Sequence, residues 1–358
     1  MKAREDKKSN ELGEMKRVSR RDALKIFGGT GLGMFLTTLA NPVSIAGQTK
    51  EKSLIVNSAQ NINLQGNGFY RFKVGELECF VISDGDIKAP LPMFAANVSK
   101  TQAENALRDY LLATDRLALH VNTLLVRSGS KTVLIDTGAG ANLGPTTGQL
   151  ITNLARAGFA PEDITDVVFT HAHGDHAGGN TDATGKIVFP NALFHFSQNE
   201  WETWTAKNVS LGQTKVDEKT RKFYIELTQK NLLPLKDRIR LFKPGAEIIT
   251  GVSSVAAVGH TPGHTAYLIA SGSESVLHAG DFAHHYAFQI AHPEWFTAVD
   301  FDPHQAVATR KKLLDRAAAD RTLIVGSHMP FPGLGHIRAR NNRRTSFEWI
   351  PVEWQWQA

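Results

Sequence analysis

The sequence is poor in the residues that would build a cysteine-based site. Its 358 residues include one cysteine, Cys79, and a single thiol excludes both an internal disulfide framework and a multi-cysteine zinc or iron–sulfur site. Glycine and proline, with 30 and 14 residues, are near average use, which excludes collagen-like and disordered chains. No serine stands in a G-x-S-x-G motif, so this nucleophile elbow of serine hydrolases is absent as well. The remaining composition, 42% hydrophobic and 21% charged residues, is typical of a soluble globular protein.

Excess charge of one sign is also scarce outside the N-terminal segment. The net charge of the chain is +5, and residues 1–46, with nine Lys or Arg and five acidic residues, carry +4 of it. The other residues therefore carry +1, which is too little to drive binding to a polyanion by bulk charge. Because the sequence also lacks a basic face interleaved with aromatic residues, it predicts no nucleic-acid partner.

Long hydrophobic runs are missing too. The apolar stretch Ile26–Ala40 is shorter than the roughly 20 residues of a membrane span. It follows the basic segment Ser19–Lys25, which contains the pair Arg20-Arg21, and it precedes the small residues Ser44–Ala46. These are the parts of an export signal, and the paired arginines favour the twin-arginine type. We expect a periplasmic or secreted protein without a stable membrane span after processing; a disordered basic tail or an uncleaved anchor is the alternative.

The chain is predicted to contain one folded domain. Residues 1–46 are assigned to the signal peptide, residues 47–70 to an N-terminal lead or arm, and residues 71–358 to the domain, which no repeat, low-complexity block or long linker interrupts. Short apolar runs bounded by turn signals predict β-strands. The predicted strands are Glu76–Ser83 (followed by a turn at Asp84-Gly85), Asn122–Arg127, Lys131–Asp136, Asp166–Thr170, Ser254–Val258, Ala266–Ala270, Ser275–Ala279 and Thr322–Val325.

Two stretches predict helices. Thr146–Ala157 is amphipathic and ends at Gly158, and a second helix opens at Asp302-Pro303 and runs to about Ala319. Strands first, followed by strand–helix alternation, predict two sheets that pack together with helices outside. Residues 195–245 are rich in aromatic residues and less regular, and we expect them to cover a site.

A cluster of metal-ligand residues follows a buried strand. His171-Ala172-His173-Gly174-Asp175-His176 comes directly after the strand ending at Thr170. Histidines two residues apart at a bend can reach one cation, and Asp175 and His176 can then turn toward a second. Imidazole and carboxylate are sufficient ligands for zinc and its neighbours. The segment therefore predicts a metal site rather than a loop of solvated histidines.

Four further strands end in an acid or a histidine next to a glycine. The pattern recurs at Asp136-Thr137-Gly138, Gly259–His264, Gly280-Asp281 and Gly326–His328. Glycine lets the backbone turn sharply after a strand. Together the four places predict one edge of a sandwich where the strand ends converge on metal.

These motifs resemble the metallo-β-lactamase superfamily, whose H-x-H-x-D-H signature is fully present at 171–176. Gly259–Tyr267, Gly144–Leu150 and Ser327–Arg338 are similar to segments of the branch that holds methyl parathion hydrolase and related lactone and arylester hydrolases. The resemblance covers the chain from Arg71 to its end. It implies an α/β fold, the αβ/βα sandwich of two mixed β-sheets flanked by helices.

The resemblance also implies a ligand set. Two divalent ions are expected, zinc first, with manganese, iron or cobalt as alternatives because imidazole and carboxylate accept them all. The implied ligands are His171, His173 and His260 for one ion, Asp175, His176 and His328 for the other, and Asp281 as the bridge. Asp136 and His264 would orient a ligand imidazole or steady a ligand loop.

A hydrolase acting on a small hydrophobic lactone or carboxylic ester follows from this centre. Two cations would hold a bridging hydroxide, since metal binding lowers the pKa of water to about 7, and Asp175 or Asp281 would shuttle the proton. An organophosphate triester hydrolase like methyl parathion hydrolase, or a non-catalytic metal-binding scaffold, is the alternative. Relatives often form homodimers, and the residues leave this open.

The substrate side depends more heavily on the resemblance. Quorum-quenching lactonases usually carry a tyrosine three residues after the bridging aspartate, where this chain has His284. Either His284 replaces that tyrosine as a hydrogen-bond donor or the acyl-lactone assignment is weakened. Leu143, Trp204 and Phe223 are the candidate pocket walls, although aromatic residues at helical spacing are also typical of a core. An aliphatic residue at 143 favours lactones or alkyl esters over aryl esters.

Overall fold

Two seven-stranded sheets organise residues 68–354, the part of the chain that the computed structural model describes. These residues lie in one compact unit, Asn63–Ala358. The predicted signal peptide, 1–46, and most of the predicted lead, 47–70, lie outside the described residues, so both stay predictions. Strand β1 begins at Phe69, two residues before the predicted start of the domain.

The first sheet contains the strands of the N-terminal half in sequential order. Strands β1 to β4 pair antiparallel, and β4 to β7 pair parallel. Its strands are β1 Phe69–Val74, β2 Leu77–Ala89, β3 Leu117–Ser128, β4 Lys131–Ile135, β5 Asp166–Val168, β6 Leu193–Ser197 and β7 Ile239–Phe242. Parallel neighbours need crossover connections, which here carry helices.

The second sheet contains the strands of the C-terminal half, also in sequential order. Its pairs are antiparallel except for β11 and β12, which run parallel. Its strands are β8 Glu247–Ile249, β9 Val252–Ala256, β10 Thr265–Ser271, β11 Glu274–His278, β12 Leu323–Val325, β13 Leu334–Ala339 and β14 Phe347–Pro351.

Helices flank the two sheets, and the short helix Gly174–Ala177 lies at the edge of the sandwich. The α-helices are α1 Leu91–Phe94, α2 Lys100–Asp109, α3 Leu150–Arg156, α4 Gly174–Ala177, α5 Gln198–Thr205, α6 Glu218–Leu232 and α7 Pro303–Asp320. Short 3₁₀ turns lie at Gly140–Asn142, Pro161–Asp163 and Leu233–Arg238, and a π-helical turn lies at Tyr286–Ile290. None of the helices in residues 68–354 has the length and apolar character of a membrane span.

Apolar residues from both sheets form the central core. Val81 of β2, Val126 of β3, Tyr267 of β10 and Val276 of β11 are buried in this layer, with Cys79 among them. Separate apolar clusters lie under the helices on each outer face. The predicted sandwich of two mixed sheets flanked by helices is therefore confirmed.

Three local predictions are corrected by the structure. The turn expected at Asp84-Gly85 is a bulge in β2, which continues to Ala89. The strand continues because residues 85–89 keep pairing with residues 117–121 of β3 beyond the bulge. At the bulge the buried Asp84 carboxylate accepts hydrogen bonds from the backbone N–H groups of Ala139 and Leu150, both at 2.8 Å. Helix α3 is shorter than predicted, since the backbone at Gly148 has a positive φ of 80°.

The third correction concerns residues 195–245, which are more regular than predicted. They contain β6, α5, α6 and β7. Asp217 caps α6 by accepting a hydrogen bond from the Thr220 backbone N–H at 2.7 Å, a local signal that the aromatic content of the region obscured.

The bulge of β2 generates a stability prediction. A Cβ on Gly85, whose φ is 115°, would lie 1.8 Å from the Thr146 carbonyl oxygen. We expect Gly85→Ala to lower the free energy of unfolding by about 2–5 kcal/mol, from backbone strain and overpacking together. Gly129→Ala is the matched control, because its φ of 59° is also positive while a Cβ there meets no atom within 4 Å. Midpoints of denaturant unfolding, compared at equal m-values, measure the difference in stability. An equal loss of unfolding free energy in both variants would contradict the steric argument.

Candidate metal centre

The strand ends of both sheets meet at one edge of the sandwich. The loop after β5 carries His171, His173, Asp175 and His176, with Asp175 in the first turn of α4. From the second sheet, the β9–β10 loop supplies His260, and the segments after β11 and β12 supply Asp281 and His328. All seven predicted ligands are brought together there, in groups whose ligand atoms lie within 4.8 Å of one another.

The first group consists of three buried imidazoles. Nε2 of His171 and Nε2 of His260 each lie 3.0 Å from Nδ1 of His173. The rings are nearly perpendicular, so the three nitrogens converge on one point. This is the arrangement of three protein ligands around one cation.

The second group combines two imidazoles and a carboxylate. Nε2 of His176 lies 3.3 Å from Nε2 of His328, and Oδ2 of Asp175 lies 3.5 Å from the same His328 nitrogen. Asp175 is the partly exposed member of the group, with 20% of its side chain accessible. It therefore faces the solvent side of the centre.

Asp281 lies between the two groups. Its Oδ2 is 3.5 Å from His260 Nε2 and 3.2 Å from His328 Nε2, and its Oδ1 is 3.3 Å from His176 Nε2. One carboxylate therefore faces both groups, as the predicted bridge requires. Its Oδ1 is buried and has no hydrogen-bond partner among the described residues.

Hydrogen bonds on the outer side of the rings set which nitrogen faces the centre. His260 Nδ1 donates to Asp300 Oδ1 and His328 Nδ1 to the His120 carbonyl oxygen, both at 2.7 Å. His176 Nδ1 donates to Asp136 Oδ2 at 2.8 Å. In the neutral rings, Nε2 then carries a lone pair that points inward.

This donor set fits two divalent cations. The inward nitrogens of the first group lie 3.0 Å apart, so their lone pairs repel one another, and the unpartnered Asp281 Oδ1 adds a negative charge. Cations between these atoms would offset the repulsion and satisfy the buried carboxylate. The five imidazoles and two carboxylates match the ligand types that zinc accepts.

Burial governs the electrostatics of the histidines. Burial, and then the neighbouring imidazoles, hold the pKa of His171 and of His173 well below the ordinary value, so both are neutral. Burial opposes the charging of His176 as well, but the carboxylates of Asp281, Asp136 and Asp175 outweigh it and raise the pKa. Metal binding at His176 therefore competes with a proton.

Asp136 and His264 both contact the ligand loops. Besides His176, Asp136 accepts from the backbone N–H and the hydroxyl of Thr170, at 2.8 and 2.7 Å. His264 donates from Nδ1 to the Ala257 carbonyl oxygen and accepts from the Asp281 backbone N–H through Nε2, both at 2.8 Å. Asp136 thus orients a ligand ring, whereas His264 holds the backbone of the bridging residue.

Asp300 is a functional residue that the sequence did not reveal. Its carboxylate fixes His260 and also accepts from the Thr297 backbone N–H at 2.9 Å. Arg310 lies 4.0 Å from its Oδ2, and both side chains are buried. In the sequence, Asp300 has no glycine beside it and lies two residues before Asp302, which caps α7, so the helix-start signal masked it.

His284 lies within the centre rather than in a polar surface loop. Its Nε2 is 3.1 Å from Asp281 Oδ2, and its Nδ1 is buried without a partner among the described residues. Burial lowers the pKa of His284 to about 4 in spite of the Asp281 carboxylate, so the ring is neutral. When Nε2–H donates to Asp281, Nδ1 is an acceptor toward the cavity.

A cavity of about 310 Å³ opens above the metal groups. Apolar and aromatic side chains form most of its wall, and Asp175, Asp281 and His284 lie at its floor. Its lining residues are Ile87, Lys88, Ala89, Pro90, Met93, Phe94, Leu119, Leu143, His173, Gly174, Asp175, Thr220, Phe223, Tyr224, Leu227, His260, Asp281, His284 and Val299.

Two of the three predicted wall residues line this cavity, namely Leu143 and Phe223. Trp204 does not, and this prediction is corrected. Its side chain is fully buried in the core under the first sheet, because its indole N–H donates to the buried Glu200 carboxylate at 2.8 Å. Helix α6 supplies Tyr224, a wall residue that the sequence did not single out.

Comparison with protein-family models matches residues 116–328 to the metallo-β-lactamase superfamily. The chain belongs to this superfamily. The resemblance drawn from the H-x-H-x-D-H motif and the later ligands is thus confirmed at the superfamily level. The narrower resemblance to the methyl parathion hydrolase branch stays a prediction.

Solved structures of the superfamily resemble this chain over most of its length. AidC, a dizinc quorum-quenching lactonase in complex with a product, is 33% identical with a TM-score of 0.76, covering 80% of this chain and 98% of AidC. The β-lactamase-superfamily hydrolase AbOPH is 29% identical with a TM-score of 0.74, covering 81% and 99%. The expectation of a hydrolytic enzyme agrees with both.

Curated relatives match over shorter stretches. N-acyl homoserine lactonase of Bacillus thuringiensis is 24% identical, over 50% of this chain and 62% of its own length. The Bacillus cereus lactonase is 26% identical, over 34% and 39%. The alignments thus span about two to three fifths of the curated lactonases. The comparisons give no support to the organophosphate alternative.

The Asp300–His260 contact of this metallo-β-lactamase-fold site yields a prediction. We expect Asp300→Asn to weaken binding of one of the two metal ions about 10- to 100-fold, because the amide no longer fixes the His260 ring and its tautomer. Competition with a chelator measures this. Asp302→Ala, which removes a helix cap and costs about 1 kcal/mol of stability, should leave metal affinity unchanged. Equal metal affinity in wild type and Asp300→Asn would contradict the orienting role.

Proposed function

We propose that this chain is a zinc-dependent lactonase that opens lactone rings bearing an apolar acyl chain, such as N-acyl homoserine lactones. The observation that carries the proposal is a complete ligand set for two cations at the floor of an apolar cavity. The description of AidC as a dizinc lactonase supports the choice of metal and substrate class, since it is 33% identical over 98% of its length.

The reaction adds water to the lactone carbonyl and breaks the ring C–O bond. Two divalent ions, when bound, would supply a hydroxide at neutral pH and neutralise the charge that develops on the carbonyl oxygen. Asp175 is suited to hold the proton released on attack, because it is the partly exposed carboxylate at the cavity floor. The proton then passes to the ring oxygen that leaves, and the product is a hydroxy acid.

The cavity wall favours a chain of methylene groups over a charged substrate. Met93 and Phe94 from α1 and Phe223 and Leu227 from α6 all line the cavity. Burying a methylene group against such a surface contributes about 0.8 kcal/mol. An acyl chain therefore gains affinity with length until the cavity of about 310 Å³ is full.

The proposal is tested with the full-length, zinc-loaded protein. Its hydrolysis of N-hexanoyl-homoserine lactone, dihydrocoumarin, p-nitrophenyl acetate and a methyl phosphotriester is compared at equal metal content. We expect the acyl lactone to have the highest kcat/KM. If the protein binds two metal ions but hydrolyses none of the four substrates, a non-catalytic metal-binding scaffold is favoured instead.

Asp281→Ala tests the role of the carboxylate that lies between the two ligand groups. We expect it to lose at least about 10²-fold in kcat and part of the bound metal, because both ligand groups face this carboxylate. His336→Ala is the control. His336 lies on β13, outside the ligand groups, and its Nδ1 contacts the Thr322 carbonyl oxygen. Two bound metals with normal turnover in Asp281→Ala would contradict the bridging role.

Tyr224 is proposed as the hydroxyl that donates to the substrate's carbonyl or ring oxygen. Burial, with smaller effects of Asp175 and Asp217, raises the pKa of Tyr224 to about 12, so the hydroxyl stays protonated at neutral pH. Its hydroxyl has a weak acceptor, Met93 Sδ at 4.0 Å, and can exchange it for a substrate oxygen. His284, whose Nε2 is directed at Asp281, is less well placed to donate.

We expect Tyr224→Phe to lower kcat on the order of 10²-fold, the usual cost of one lost donor to a developing oxyanion. KM and metal content should change little. The control is Tyr110→Phe, since Tyr110 contacts Arg340 and Tyr286 outside the cavity. A larger loss in His284→Ala, with Tyr224→Phe unaffected, would instead give the donor role to His284.

A further inference from the structure

Glu200 is a buried carboxylate that belongs to none of the ligand groups. It lies in the first turn of α5, and the residue is 1% exposed. A carboxylate so far from water is stable only when its oxygens are fully hydrogen-bonded. Its four partners therefore indicate what it does.

Each Glu200 oxygen accepts two hydrogen bonds. Oε1 accepts from the Ala172 backbone N–H at 2.9 Å and from the Trp204 indole N–H at 2.8 Å. Oε2 accepts from the Thr261 hydroxyl at 2.6 Å and from the Gly263 backbone N–H at 2.9 Å. All four partners are donors, so an ionised carboxylate matches the site and an amide does not.

Three of these donors belong to loops that carry metal ligands: Ala172 to the loop after β5, and Thr261 and Gly263 to the β9–β10 loop. The fourth, Trp204, lies on α5 itself. Ala172 stands between His171 and His173, whereas Thr261 directly follows His260. Oε1 thus binds the ligand loop of the first sheet, and Oε2 binds that of the second. The same two loops bring His260 Nε2 to 3.0 Å from His173 Nδ1.

We propose that Glu200 is a positioning residue that sets the distance between the ligand loops of the two sheets and thereby the affinity of the His171–His173–His260 metal site. Ligand atoms must be held within about 0.5 Å of their working positions, and backbone N–H groups on a rigid carboxylate provide that precision. The second group, Asp175, His176 and His328, has no contact of this kind with Glu200, so its metal should be unaffected. The proposal concerns the metal centre and does not depend on the substrate.

The test is Glu200→Gln in the full-length protein. The amide NH₂ of glutamine would face the two donors of either Oε1 or Oε2, so that pair of hydrogen bonds is lost. The side chain then no longer joins the loop after β5 to the β9–β10 loop, and we expect the two loops to move apart. We expect about 10- to 100-fold weaker binding of one metal ion, as for other residues that orient metal ligands, with the second ion retained. Zinc stoichiometry and competition with a chelator measure both affinities without reference to turnover.

Two further variants make the outcome decisive. Glu202→Gln is the control. Glu202 lies on the same helix, is exposed and contacts Gln198, so the metal affinities of this variant should equal those of wild type. Thr261→Val keeps the shape and removes one donor, and we expect a loss of about 3-fold or more in the same metal site. If Glu200→Gln fails to fold, Thr261→Val still decides. Unchanged affinity in a folded Glu200→Gln or in Thr261→Val, or equal loss of both ions, would overturn the proposal.

Discussion

The repulsion between inward-facing imidazole lone pairs is the constraint on which the site depends. Neutral rings whose nitrogens lie 3.0 Å apart would turn away from each other if their outer nitrogens were not held. Asp300 holds His260 in the first group, and Asp136 and the His120 carbonyl oxygen hold His176 and His328 in the second. The protein therefore keeps its ligands in a geometry that becomes favourable when positive charge lies between them.

This constraint also explains the distribution of ligands between the sheets. One sheet supplies His171, His173, Asp175 and His176, and the other supplies His260, Asp281 and His328. Each of the groups that include a residue of the loop after β5 also includes His260, Asp281 or His328 from the opposite sheet. The centre can thus form only where the two sheets pack in register, and the apolar layer that includes Tyr267 and Val126 maintains that packing.

Local sequence patterns predicted the ligand-bearing segments because each follows a strand and contains a glycine, and the resemblance to the superfamily gave the ligand set. The eight predicted strands, helix α7 and the H-x-H-x-D-H loop depend on neighbours in sequence, and the structure contains all of them. Strands β2 and β3 extend five or six residues beyond their predicted bounds, and β1, β6, β7, β8, β13 and β14 were not predicted. Asp300, Tyr224 and Glu200 could not be found in this way, since each acts on a residue 40 or more positions away or only through the cavity. Trp204 illustrates the reverse case: helical spacing cannot distinguish an indole that binds a buried carboxylate from one that faces a pocket.

The parallel pairing of β11 with β12 has a consequence for how the protein matures. Because parallel strands need a crossover connection, which here contains α7, His328 lies far along the chain from Asp281 and is translated after the other six ligands. A nascent chain shorter than 328 residues lacks one member of the second group. Stable capture of both ions must therefore await translation of the chain as far as His328, so the centre is loaded after all seven ligands have been synthesised.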